Sequence, residues 1–420
     1  MNPRIPIALP TLGKEEADAA GHAILSNWVT QGPKVLEFEA AFANRVHSSH
    51  ACALSSCTTA LHLALKGVGV TAGDVVLTPS HTFIATANAI RYCGAEPWFI
   101  DIEADTLNIS PDKIQEFLHT QCRLENPPRL KSLKKFTPLG ESPLRKVKRP
   151  SGRIAAILAV HQIGMPADLA RLRTISQNYH IPLVEDAACA IGSSYQLDGV
   201  WHPVGKPVGK AVCFSFHPRK ILTTGDGGML TTDSVEMDRN CRLWRQHGMS
   251  VSDLVRHGVS PVQQEEYVTT GFNYRLTDIQ AAVGVVQLSR LDSLLQQRHH
   301  LVANYLQGLA GVEALRLPHA PDYGRTNWQT FMVSLRKGSV KRRDRIMQQL
   351  HQQGIATRPG IMCCHRCPPY QAAWKDRELP ESSKARDRGI ALPLYHQLRD
   401  EDQQRVVDAL LECLQDGKEK

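Results

Sequence analysis

The chain has 420 residues, 42% of them hydrophobic, with 49 Lys and Arg against 41 Asp and Glu for a formal net charge of +8. That length and apolar content suit one large domain plus a smaller one, and exclude a fibre or a disordered tail. No run reaches the roughly 18 apolar residues a membrane helix needs, the opening MNPRIPIALPTLGKEE breaks its apolar stretch with prolines, and the eleven cysteines are too scattered for a disulfide framework. The expectation is a soluble, cytoplasmic protein with reduced thiols and no membrane partner.

From about residue 50 to 235, strand-like apolar runs alternate with helix-periodic ones. ACALSSCTTALHLAL passes from a short strand into a helix, DVVLTPS precedes TFIATANAIRYCG, EPWFIDI precedes SPDKIQEFLH, IAAILAV precedes DLARLRTISQNYH, and IPLVEDAA follows. This alternation predicts an α/β fold with a mostly parallel central sheet and flanking helices. Ser110 followed by Pro111 marks one helix start. Residues 123–153 interrupt the pattern with ten Lys or Arg against two Glu, which accounts for the whole net charge. Proline-rich and aperiodic, the segment reads as a solvated surface insertion. Its one aromatic residue, Phe136, is too little for base stacking, so nucleic acid is not an expected partner.

Farther along, TDIQAAVGVVQLSRLDSLLQQRHHLVANYLQGL predicts one long helix opened by Thr277 and Gln280 at capping-box spacing. TFMVSL, RDRIMQQLHQQG, IATRPG and EDQQRVVDALLECLQ then predict a small C-terminal α+β domain. The resulting division is a large domain over 1–299, carrying the basic insert 123–153, and a small domain over 300–420.

In an open parallel sheet, chemistry gathers at the carboxyl ends of the strands. Three segments place polar residues there: IPLVEDAA brings Glu185 and Asp186, AVCFSFHPRK ends at Ser215 and delivers Lys220, and SSCTTALHLAL puts hydroxyls at a helix start. A helix N-terminus with hydroxyls is either an ordinary Ser/Thr cap or an anion site, and as an anion site without P-loop or dinucleotide glycine patterns it would take a single phosphate. A lysine of lowered pKa forms a Schiff base with an aldehyde, and a carboxylate keeps a pyridine nitrogen protonated. Phosphate site, strand-end Asp and loop Lys are the parts required for pyridoxal 5'-phosphate.

SFHPRKILTTGDGGML, LVEDAACAIG, SSCTTALHLAL, HTFIATANAI, WVTQGPKVLEFEAAFA and GFNYRLTDIQAAVGVVQLSRLD resemble successive motifs of the DegT/DnrJ/EryC1/StrS sugar aminotransferases. The resemblance runs in order along nearly the whole chain outside 123–153, and RLWRQHGMSVSD is similar to its perosamine-synthase-like branch. It implies a fold-type-I pyridoxal phosphate transferase that works as a homodimer with shared active sites. It further implies that Lys220 bonds the cofactor aldehyde and moves the proton, that Asp186 pairs with the pyridine nitrogen, and that Phe83 stacks on the ring. Cys57, Thr58 and Ser215 would hold the phosphate, and Asn273 would reach the cofactor of the partner subunit. Asn27, Trp28, Thr30, Gln31 and His247 match regions that approach the sugar. His161, at a strand end, either faces the substrate or is a packed core histidine.

Three positions depart from the family pattern. Cys57 stands where Gly is common, so a backbone conformation favoured by Gly is either absent or strained here. Cys189 replaces the usual Gln or His, and a thiol is a poor hydrogen-bond partner for the cofactor. Asp226 replaces Glu in a milder change. The CCHRC run, with Cys364, His365 and Cys367, lacks a second ligand pair, so no metal is expected. The function implied is transamination of a keto group on a nucleotide-activated sugar, with glutamate or glutamine as donor. Two alternatives stay open at this point: a catalytically idle regulatory relative and a pyridoxal-phosphate sugar dehydratase.

Overall fold

The computed structural model describes residues 4–132, 141–148, 150–250 and 265–415. Seven strands build the central sheet: β1 (His50–Leu54), β2 (Val75–Pro79), β3 (Glu96–Ile100), β4 (Ile154–Val160), β5 (Leu183–Asp186), β6 (Ala211–Ser215) and β7 (Gly228–Thr232). Their order is β1-β7-β6-β5-β4-β2-β3. Only β7 runs against the others, paired antiparallel with both β1 and β6. The rest are parallel, as uninterrupted apolar runs such as IAAILAV require: every residue of β4 is buried because helices cover both faces. Full burial of a side chain such as Ile157 or Leu158 contributes about 1.5–3 kcal/mol.

The helix starts follow from capping. Ser110 accepts a hydrogen bond from the Lys113 N–H, and Asp168 from that of Arg171. Thr277 and Gln280 form the anticipated reciprocal box. The long helical pattern after them is two helices, Asp278–Ser289 and Leu291–Gly308, meeting at Arg290 (φ −91°, ψ −2°).

The apolar interior falls into clusters. Those on the two sheet faces contain Phe38, Phe42, Ile157 and Phe214 on one side and Leu61, Leu158 and Leu230 on the other. Another, built on a four-stranded sheet, contains Leu301, Tyr305, Phe331, Leu350, Val406 and Leu410. The helix Leu291–Gly308 spans both regions, giving Leu291 and Leu294 to the first and Leu301, Val302 and Tyr305 to the last. Two segments cross the linear division near residue 300. Ile5 packs in the C-terminal cluster and donates its N–H to the Gly354 carbonyl at 2.9 Å, whereas Tyr370 and Trp374 pack in the large core.

The basic segment differs from the solvated insertion that its charge suggests. Cys122–Arg123 pairs with Arg129–Leu130, and Leu130, Leu144 and Ser142 are buried. Ser142 donates to Glu96 Oε2 at 2.7 Å, and the Arg153 guanidinium meets the buried Asp74 carboxylate at 2.5 Å. Its apolar and pairing residues anchor it to the sheet edge, while Arg123, Lys131, Lys146 and Lys148 are exposed. Residues 133–140, which include Phe136, and residue 149 lie outside the described residues.

Candidate active site

At the end of β1 the chain turns into the helix Cys57–Gly67. Ser55 donates its N–H to Tyr274 O at 2.8 Å, and Ser56 caps the helix by accepting the Thr59 N–H at 3.2 Å. A helix start leaves its first N–H groups unmatched, and those of Cys57 and Thr58 have no partner among the described residues. They form a concave donor pair with the positive end of the helix dipole behind it. Gly228, which opens β7, packs under this cradle. A Cβ there would lie 2.3 Å from Ser56 C and 2.5 Å from the Cys57 N, filling the space the turn occupies. Ser215 stands opposite Gly228 in the β6–β7 register and is half-buried, its hydroxyl accepting the His217 N–H at 3.4 Å.

Cys57 settles the first departure. It is the first residue of a regular helix and is not among the residues with positive φ, so the conformation that would favour Gly is absent. Its thiol points inward, with Sγ 3.9 Å from Asp186 Oδ1, and burial pushes it well above the ordinary cysteine value. Only its backbone faces the cradle.

Asp186 ends β5 with 5% of its surface exposed. It accepts the Thr86 hydroxyl at 2.8 Å and the Ala188 N–H at 3.1 Å, and forms no ion pair among the described residues. Burial pushes its carboxyl above the usual range, only partly offset by Thr86, Ala188 and the nearby Lys220. A cation placed against it would remove that penalty. Lys220 follows β6 on a loop and donates from Nζ to Cys189 Sγ at 2.9 Å. Burial opposes its charge, but Cys189, Asp186 and Cys57 outweigh burial and hold the amine above the ordinary lysine value. The thiol at Cys189 thus faces the lysine.

The other sequence candidates divide. Phe83 caps the helix Ile84–Tyr92 and leaves 57% of its surface in solvent, an apolar ring face open to a planar group. Asn273 is exposed and bridges backbone to backbone with Gln246; His247, also exposed, sits at φ 63°. Asn27, at φ 65°, and Thr30 are exposed, while Trp28 and Gln31 are half-buried. Asp278 organises this loop: its N–H donates to Thr30 O, and its carboxylate accepts the N–H groups of Gly32, Lys34 and Val35.

His161 is corrected as a substrate candidate. It is 0% exposed, its Nδ1 accepts the Ala167 N–H at 3.1 Å, and its Nε2 lies 3.1 Å from Glu185 Oε2, so both ring nitrogens are consumed in the core. Each CCHRC thiol bonds a backbone carbonyl: Cys363 donates to Ser382 O, Cys364 to Thr82 O and Cys367 to Cys363 O. No group of three potential metal ligands forms among the described residues.

Sequence reasoning missed Thr86, whose hydroxyl takes up Asp186 and in turn meets Thr82 at 2.8 Å. Two threonines four apart at a helix start were the available signal, though they usually serve as caps. Neither the cavity lined by Arg45, His47, Gly192 and Trp201 nor the cleft lined by Asp105, Arg316, Arg336 and Arg388 contains any of these residues.

A buried carboxylate without an ion pair among the described residues, an amine near it, an anion cradle and an exposed ring fit pyridoxal phosphate. Fold and site together define a pyridoxal phosphate-dependent transferase of fold type I. The chain belongs to the DegT/DnrJ/EryC1/StrS aminotransferase family, whose model matches residues 10–411. It is 33% identical over 410 residues to the spore coat polysaccharide biosynthesis protein SpsC of Bacillus subtilis, covering 97% of this chain and 96% of that one. Among solved structures it is similar to DesV of S. venezuelae (30% identical, 98% of each chain, TM-score 0.80). It is also similar to Spr1654 of Streptococcus pneumoniae, solved in PMP and PLP forms (25% identical; for the PMP form, 98% of this chain and 99% of that one, TM-score 0.83). No helix among the described residues is long and apolar enough to cross a membrane.

Proposed function

We propose that this enzyme aminates the keto carbon of a nucleotide-activated sugar, drawing the amino group from glutamate or glutamine. The observation that carries this reading is the convergence of the Lys220 amine with a buried Asp186 carboxylate that has no ion pair among the described residues. Similarity to a polysaccharide biosynthesis protein supports a sugar as the acceptor.

When bound, pyridoxal phosphate supplies an aldehyde that carries the amino group between substrates and a ring that takes up the electron pair released at the donor carbon. Asp186, fixed by Thr86 and Ala188, holds a protonated ring nitrogen in place by charge. The Cys57 and Thr58 N–H groups, with Ser215, hold the phosphate. Lys220 carries a proton from the donor carbon in one half-reaction and returns one to the sugar carbon in the other. For this its amine must become neutral, so the charge that Cys189 and Asp186 hold on it has to be released as the cofactor binds.

The enzyme works as a homodimer in a reducing cytoplasm, with the exposed Asn273 completing the partner's site. Exposed Leu25, Leu36 and Tyr92 support such a surface, and eleven free cysteines support the compartment. Visible absorption of the purified protein tests the reading. Wild type should show a yellow band that glutamate bleaches and that Lys220→Ala cannot form; a wild type that stays colourless with added pyridoxal phosphate would overturn it. Product mass with a ketosugar panel separates amination from loss of water.

A further inference from the structure

We infer that the tripeptide Asn327–Trp328–Gln329, braced by Arg298, sets Lys220 against Cys189, so that Asn327 and Gln329 are positioning residues for the cofactor lysine. The inference rests on the reading of Lys220 given above, and adds to it how the amine is held.

Gln329 grips the backbone on both sides of Lys220. Its Oε1 accepts the Ile221 N–H at 3.2 Å, and its Nε2 donates to Arg219 O at 2.7 Å. Asn327 grips the other partner: its Nδ2 donates to Cys189 O at 2.9 Å and to Ile191 O at 2.8 Å. The tripeptide is also closed on itself, because Asn327 Oδ1 accepts the backbone N–H of Gln329 at 2.9 Å. The Asn327 N–H donates to Ser193 Oγ at 3.0 Å. Two residues apart in sequence, these amides therefore fix two loops whose members Cys189 and Lys220 are 31 residues apart. Gly164, at φ 96°, permits the approach, since a Cβ there would fall 1.9 Å from Asn327 Oδ1.

The middle residue shows that this geometry is imposed. Trp328 sits at φ 52°, a left-handed conformation that a bulky side chain adopts only when its surroundings enforce it. The enforcing group is Arg298, a buried guanidinium that donates to Trp328 O at 3.0 Å, Gln329 O at 2.9 Å and Leu394 O at 3.3 Å. It has no ion pair among the described residues, and burial pushes it down to about 10. A space-filling role would be met at lower cost by an apolar side chain. Arg298 lies on the helix that spans the two core regions, and Leu394 packs in the C-terminal one, so the lysine loop is anchored to the C-terminal part of the chain.

The test is the pH titration of the visible cofactor band in the holoenzyme, which reports the electrostatic surroundings of the lysine rather than turnover. The groups that face the amine are Cys189, Asp186 and Cys57, with His217 and Arg219 on its own loop. Gln329→Met should shift the titration midpoint by at least about half a pH unit, roughly threefold in the equilibrium, and Gln329→Glu should shift it as well because the donor to Arg219 O is lost. Gln403→Met removes a buried glutamine of the C-terminal core that bonds Leu301 O, and should leave the midpoint unchanged. A folded Gln329 variant with the wild-type midpoint, or an equal shift in Gln403→Met, overturns the inference. If neither Gln329 variant folds, hydrogen exchange on wild-type holoenzyme decides: a slow Ile221 amide supports the clamp and a fast one overturns it. A band that survives Lys220→Ala would instead remove the reading of Lys220 itself, and the inference with it.

Discussion

Thr86 donates its hydroxyl to Asp186 across 2.8 Å, from the first turn of one helix to the end of a strand 100 residues later. That bond fixes the carboxylate proposed to hold the cofactor ring, and the same carboxylate opposes folding of the protein by itself. Burial raises the Asp186 pKa, so its contribution to stability is fully present below the ordinary carboxylate range and is lost as pH rises through the folded value. Asp186→Asn should therefore raise the melting temperature of the cofactor-free protein at pH 7, with the gain fading on acidification. Turnover should fall by about two to three orders of magnitude, since breaking a buried charge pair costs about 2–5 kcal/mol. Melting curves across pH, alongside steady-state assays, check both signs.

Gly228→Ala pushes a methyl group against the Ser56–Cys57 peptide. Overpacking of this kind costs about 1–3 kcal/mol, and here it falls on the Cys57–Thr58 donor pair proposed to hold the phosphate. The dissociation constant for pyridoxal phosphate should rise roughly tenfold or more in an absorbance titration, while Lys220 still forms the yellow band at saturating cofactor.

Because Cys57 has helical backbone and only its N–H faces the cradle, Cys57→Ala should keep cofactor affinity within about threefold. Cys57→Gly, which restores the common family residue, should cost up to about 1 kcal/mol of stability through helix propensity. Urea denaturation of the two variants measures the difference.

Glu39 is the buried carboxylate behind β1, meeting Arg245 at 2.5 Å and Arg242 at 2.6 Å while accepting the Ala53 N–H. Burial disfavours its charge, but the two guanidinium groups outweigh it and lower its pKa. Its stabilisation is thus present above the ordinary carboxylate pKa and lost as pH falls through the folded value. Glu39→Gln should destabilise by about 3–5 kcal/mol at pH 7, because Arg245 would be left buried without its counter-charge. The gap to wild type should narrow on acidification in a denaturation series.

The sequence alone, through hydrophobic period and capping, determined the alternation of strands and helices from β1 to β6, the helix starts at Ser110 and Thr277, and the strand-end positions of Asp186 and Ser215. These are local properties: a periodic run needs one covered face, and a cap needs a hydroxyl three residues from an N–H. Family resemblance added the roles proposed for Lys220, Phe83 and the Cys57–Thr58 turn. Tertiary structure decided what depends on chain segments meeting across the sheet. It placed β7 antiparallel between β1 and β6, turned His161 into the core against Glu185, seated the flanks of the basic segment, and brought Cys189 to the lysine. Thr86, Asn327, Gln329 and Arg298 look like ordinary polar residues in the sequence, since a side-chain hydrogen bond to a distant backbone leaves no periodic trace. Their partners exist only once the loops have closed, and burial then makes each unpaired donor or acceptor costly enough to fix the geometry.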